Sequence, residues 1–158
     1  MIIEVKNMIT ITFYGLDQFV VGRLSRELTT GIARIYDVSE DDVNFIAPAC
    51  LVFHNGVEQT SWNILVQVSA PIKTSDKEKK IKELLFKGIG QLAIHVTVEF
   101  LYYELDKHYV KLNDSYPRYI TEENIVETET DYSNEELEEG EGDDQIYTGD
   151  IFSDVLKK

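Results

Sequence analysis

Ile9-Thr10-Ile11-Thr12-Phe13-Tyr14-Gly15 is the stretch whose reading decides the fold. Ile9, Ile11 and Phe13 alternate with Thr10, Thr12 and Tyr14, the period of two that buries one side of a strand and leaves the other outside. Gly15 ends the strand. Asp17 follows where a carboxylate accepts the unpaired amides of a helix's first turn. Val21, Leu24, Leu28, Ile32 and Ile35 then recur at intervals of three and four, giving one apolar helical stripe, with Arg23, Arg26, Glu27 and Arg34 on the other side. Gly31 lowers local helix propensity and is expected to permit close packing on the sheet. Ser39 to Asp42 reads as an acidic turn. Asn44 to Phe53 reads as a second strand, in which Pro48 argues for an edge, a bulge or an interruption.

The same order then returns. His54-Asn55-Gly56 supplies a turn, because Asn and Gly tolerate positive φ. Trp62 to Val68 is predicted as a third strand with Trp62, Ile64, Val66 and Val68 on one side, and Trp62 is expected in a core or an interface. A loop from Ala70 to Ser75, stiffened by Pro71, leads to a second helix capped by Ser75 or Asp76. That helix carries Ile81, Leu84, Leu85, Gly88, Ile89 and Leu92. His95 to Tyr103 closes the series as a fourth strand, rich like the others in the β-branched and aromatic residues that suit a pleated sheet. The predicted fold is α/β (α+β): two tandem β-α-β units forming a four-stranded sheet covered by two helices on one face. The other face would carry Thr10, Thr12, Leu65, Thr97 and Leu101. A half-apolar face of this kind usually meets another surface, so oligomerisation through it is expected.

Charge divides the chain. Residues 1–120 hold 15 acids and 13 bases, a net of −2, whereas residues 121–158 hold 14 acids and 2 bases, a net of −12. No nucleic-acid partner is expected, since neutralising phosphates needs clustered Lys and Arg. The one basic cluster, from Lys73 to Lys82, is interleaved with Asp76 and Glu78 and reads as a solvated helix face. The single Cys50 rules out an intrachain disulfide, and its place in Ala49-Cys50-Leu51-Val52-Phe53 suggests a buried, inert thiol. The chain has no apolar run of membrane-spanning length and no apparent signal peptide, so a cytoplasmic protein without a membrane partner is expected. The domain expectation is an N-terminal extension at 1–7, a folded domain at 8–112 and an acidic tail at 113–158. Low hydrophobicity and high charge in the tail predict disorder, while Ile146, Tyr147, Ile151, Phe152, Val155 and Leu156 predict a docking segment at 146–158, for the chain's own oligomer or for a protein partner.

In Ile9-Thr10-Ile11-Thr12-Phe13-Tyr14-Gly15, Ser39-Glu40-Asp41-Asp42-Val43 and Val96-Thr97-Val98-Glu99-Phe100, the doubled unit resembles the tautomerase/macrophage-migration-inhibitory-factor superfamily, and within it an uncharacterised bacterial family. The resemblance covers about residues 8–112. It implies a homotrimer whose three sheets line a barrel-like interior, and a small-molecule ligand site. In active members, it further implies a proline directly after the initiator Met, whose amine is the general base. Here Ile2 follows Met1 and Ile9 follows Met8. The extension Met1–Asn7 also displaces a free amine from the first strand. The substrate-binding Arg that members place near the start of the first helix is matched only by Leu16-Asp17-Gln18, the first Arg being Arg23.

No catalytic residue carries over from the family, which leaves His54 and His95 as the weak candidates for acid–base work, each with an ordinary solvated or packing role as the alternative. His108 is expected at a subunit contact. Three histidines without a close pair give no metal-ligand spacing, and the chain has no phosphate loop, nucleophile elbow or Cys-x-x-Cys, so neither cofactor nor metal is expected. The expectation is therefore a trimeric, non-catalytic binding or structural protein, with a tautomerase using a non-proline base on a small carbonyl acid as the alternative.

Overall fold

The computed structural model describes residues 3–4 and 6–124. The predicted docking segment at 146–158 and most of the acidic tail lie outside these. Among the described residues, those up to Tyr119 belong to one compact unit, and 120–124 fall outside it. In chain order the strands and helices are β1 (Ile3–Glu4), β2 (Ile9–Tyr14), α1 (Gln18–Tyr36), β3 (Val43–Ile46), β4 (Phe53–His54), β5 (Val57–Glu58), β6 (Asn63–Pro71), α2 (Glu78–Ile89), β7 (His95–Tyr103) and β8 (Val110–Lys111). Short 3₁₀ turns at Glu40–Asp42, Ile72–Lys77 and Leu105–Lys107 join them.

Four strands form one sheet in the order β3-β2-β6-β7, with both β-α-β pairs parallel and the central β2–β6 pair antiparallel. The alternation read from the sequence decides which side is buried. Ile9, Ile11, Phe13, Ile64, Val66, Val68 and Ala70 are buried under the helices, joined by Val21, Leu24, Leu28 and Ile32 of α1 and Ile81, Leu85 and Ile89 of α2. Phe45 of β3 stacks on Phe13 with ring centroids 6.0 Å apart. On the open side the register lines up Thr10, Ser69 and Leu101 in one row, Thr12, Gln67 and Glu99 in the next, and Tyr14, Leu65 and Thr97 in a third. That face is as mixed as its sequence suggests. Gln67 donates to the Glu99 carboxylate within it.

The two helices stop and start differently. Asp17 accepts from the Phe19 and Val20 amides at 2.9 and 3.3 Å, the expected cap. The expected Ser75 or Asp76 cap of α2 is not formed: the 3₁₀ turn runs directly into the helix, and Lys77 stands at the cap without a side-chain bond. Gly31 serves the second helix rather than the sheet, since a Cβ there would lie 3.1 Å from Leu84 Cδ2. Gly88 returns the arrangement, with space for a Cβ only 2.8 Å from Leu28 Cδ2. Each helix thus offers a glycine to the other's leucine.

Three further expectations are corrected. The second strand ends at Ile46, not Phe53, because Pro48 has no amide for a ladder; residues 47–52 are a loop and Phe53 begins a separate hairpin with β5. The hairpin turn is where the sequence places it, with Asn55 and Gly56 at φ 47° and 78°. Cys50 therefore sits half-buried in a loop and not in a strand. Trp62 precedes β6 and is 55% exposed, so it is no core residue of this chain.

Candidate functional site

The sheet has two ends of different chemistry. At its leading end β2 begins while β6 and β7 finish. α1 also finishes there, and α2 begins. At its trailing end β2 finishes at Gly15, beside the start of α1, the loop 47–52 and the hairpin. The superfamily resemblance directs attention to the leading end, where an active member would hold its amine.

In this chain the start of β2 is a continuous peptide fastened on several sides. The chain enters through Asn7 from β1, which pairs with β8. The Tyr103 hydroxyl at the end of β7 donates to the Met8 carbonyl at 2.5 Å. Arg118 Nη1 bonds Asp42 Oδ1 at 3.0 Å, and Nη2 lies 2.9 Å from the Met8 sulfur. The Tyr119 hydroxyl donates to the Asp41 carbonyl. Tyr103 stacks on His108 with centroids 4.4 Å apart, and His108 Nδ1 is buried without a hydrogen-bond partner among the described residues.

Beside this cluster lies a hollow of about 370 Å³ lined by Asn7, Tyr36, Asp37, Lys73, Thr74 and Lys77. Lys77 pairs with Asp76 at 3.4 Å. Burial pushes the Tyr36 hydroxyl well above the ordinary tyrosine range, and the Glu78 carboxylate adds to this. Tyr102 is shifted the same way by desolvation, by its hydrogen bond to Glu78 and by the charges of Glu78 and Asp76. Desolvation likewise raises Tyr103 to about 12, with Asp42 contributing and the bond to Met8 opposing. All three phenols are held protonated. A general base needs a pKa near the working pH, and these shifts run the other way. Around the hollow itself stand Tyr36, the ammonium groups of Lys73 and Lys77 and the Asp37 carboxylate, while the Tyr102 and Tyr103 hydroxyls are taken up by Glu78 and Met8.

The sequence candidates stand elsewhere. His54 is exposed in the hairpin and His95 is exposed at the start of β7, edge-on to Trp62 at 6.2 Å. Neither side chain forms a hydrogen bond or ion pair among the described residues. His95 lies at the opposite end of β7 from Tyr103, eight residue steps and so about 26 Å along the strand. The trailing end has its own hollow of about 450 Å³, lined by Leu16, Asp17, Gln18, Pro48, Cys50 and Thr60 but by neither histidine. Asp17 is already occupied as the helix cap. Among the described residues no three His, Cys, Asp or Glu side chains gather as a metal site, and no helix is long and apolar enough to cross a membrane. Sequence reasoning missed Met8, Asp42, Tyr103 and Arg118. Arg118 and Asp42 stand 76 positions apart, and nothing in local spacing joins them.

This architecture is the one the sequence predicts: tandem β-α-β units, a four-stranded sheet and two helices on one face. No family model and no curated protein matches the chain. Among solved structures it is similar to a domain of unknown function (DUF1904) from Sebaldella termitidis, at 19% identity and a TM-score of 0.60 over 65% of this chain and 95% of that one. It is similar to a protein of unknown function from Vibrio cholerae, at 16% identity and a TM-score of 0.57 over 68% of this chain and 87% of that one. A macrophage migration inhibitory factor homologue from Prochlorococcus marinus also matches, at 16% identity and a TM-score of 0.48 over 61% and 89% of the two chains. At these identities the neighbours speak to fold alone.

Proposed function

We propose that this chain is a non-catalytic binding or structural protein built on a tautomerase-like scaffold and assembled as a homotrimer. The observation that carries the reading is the state of Met8. A peptide carbonyl fastened by Tyr103, in a chain that continues through Asn7 to β1, stands where an active member has a free secondary amine. An amide nitrogen has no basic lone pair, so the base is lost in kind and not only in identity. The three nearby phenols, raised in pKa, do not replace it. His54 and His95, the candidates for an alternative base, lie away from this end.

The trimer rests on the open sheet face, where Leu101 and Ile46 are 48% and 49% exposed among half-buried Thr10, Thr12, Tyr14 and Leu65. Apolar area of this kind gains by burial against copies of itself. Sedimentation equilibrium tests the assembly: three times the 18.2 kDa of the chain is expected, and Leu101→Glu is expected to shift the mass towards one copy. A monomer at micromolar concentration contradicts the trimer. The alternative reading, a tautomerase with a non-proline base, predicts enol–keto conversion of a phenylpyruvate-type substrate that disappears in the His54→Ala, His95→Ala variant.

A further inference from the structure

We propose that residues 104–119 are a releasable strap closing the start of β2, and that the Arg118–Asp42 ion pair is its catch. The strap leaves the sheet after Tyr103, makes the 3₁₀ turn Leu105–Lys107, pairs as β8 with β1, and returns so that Arg118 and Tyr119 reach the turn before β3. Its hold is concentrated in few places. Tyr109 and Tyr116 are 72% and 71% exposed, and residues 113–117 are all exposed. By contrast Arg118 and Asp42 are each only 18% exposed, whereas the side chains of the other ion pairs described above and at Arg23–Glu27 are at least 35% exposed.

A segment with little buried apolar area, held by the Arg118–Asp42 pair, a two-residue ladder, the Tyr119–Asp41 hydrogen bond and the stacking of His108 on Tyr103 among its contacts, opens at lower free energy than the sheet beneath it. Ile9, Ile11, Val66 and Val68, in that sheet, are fully buried. Opening takes Arg118 off the Met8 sulfur and His108 off the Tyr103 ring, and uncovers the unpartnered His108 Nδ1, without disturbing the core. The strap therefore governs access to Met8 at the start of β2. The inference is independent of whether the protein turns over a substrate, because it concerns which groups are covered.

Hydrogen exchange of the full chain, read by mass spectrometry, tests it. In Arg118→Ala the amides of 108–119 and 3–8 are expected to exchange about tenfold faster or more, while those of β6 and of β2 beyond Ile11 keep their wild-type rates. The charge swap Arg118→Asp with Asp42→Arg is expected to restore most of the protection. Faster exchange spread evenly over β2 and β6 would mean that Arg118 supports the whole fold, and would overturn the proposal. Unchanged exchange of the strap in Arg118→Ala would overturn it as well, by showing that the ion pair is no catch.

Discussion

The two ends of the sheet are built from the same doubled pattern yet do opposite things. The leading end is tied down: the strap, the Arg118–Asp42 ion pair and the Tyr103 hydroxyl hold Met8 just before β2. The trailing end is open, with two exposed histidines, an exposed Trp62 and a hairpin bearing Phe53 and Val57 in solvent at 60% and 63%. The lesson is that exposure and chemistry have parted company. His54 and His95 lie at the trailing end without hydrogen-bond partners among the described residues, whereas the leading end gathers Tyr103, His108 and the Arg118–Asp42 pair beside Met8.

The core beneath both ends is common, and this can be broken first. Phe13→Ala near the trailing end and Ile9→Ala near the leading end each remove a fully buried side chain. Losses of about 3–5 and 2–5 kcal/mol respectively are expected in urea unfolding. A loss under about 1 kcal/mol at either would mean that the core does not extend to that end.

Gly15→Ala comes next. Gly15 has φ +83°, and a Cβ there would lie 2.6 Å from Val52 Cγ2, so backbone strain and overlap add. A loss of about 1–3 kcal/mol is expected, with the loop 47–52 displaced and the strap untouched. Changed exchange in 110–119 would show the two ends to be coupled.

The helix starts separate the ends on a finer scale. Asp17→Ala removes two bonds to α1 amides and is expected to cost about 1 kcal/mol. Ser75→Ala, at the leading end, removes no cap and is expected to stay within about 0.5 kcal/mol of wild type. Equal losses at the two positions would erase this distinction.

The smallest effect is a dependence on alkali. Tyr103 has a native pKa raised to about 12 from an ordinary 10, so its stabilisation is complete below pH 10 and is lost as the pH rises through 12. Tyr36 and Tyr102 act in the same direction. Denaturant unfolding from pH 9 to 12 should show stability falling, with a shallower fall in Tyr103→Phe. An identical fall in wild type and variant would remove Tyr103 from the account.

Much of the fold was legible because the information is local. Alternation at Ile9–Tyr14, the stripe from Val21 to Ile32 and the cap at Asp17 each lie within a few residues, and together they imply the sheet, the helices and the open face. The errors occurred where local rules compete. Pro48 left three outcomes open for the second strand, and only the packing of the loop 47–52 selects interruption. Ser75 and Asp76 have the residue types of a cap, yet the 3₁₀ turn after Pro71 already provides the chain direction. Gly31 signalled close approach, but towards the sheet, whereas its neighbour is Leu84 of α2. The leading end was nearly invisible, because Met8, Asp42, Tyr103 and Arg118 meet only through the sheet order and the return of the strap. The one trace of it in sequence was negative, the lack of a proline where the resemblance required one.

The most direct test of the central claim is the rate of enol–keto conversion of phenylpyruvate by the full chain, measured against buffer over a tenfold range of protein concentration. With Met8 held as a peptide at the start of β2, no rate above buffer is expected at any concentration. A rate that rises in proportion to protein and survives repurification would contradict the account.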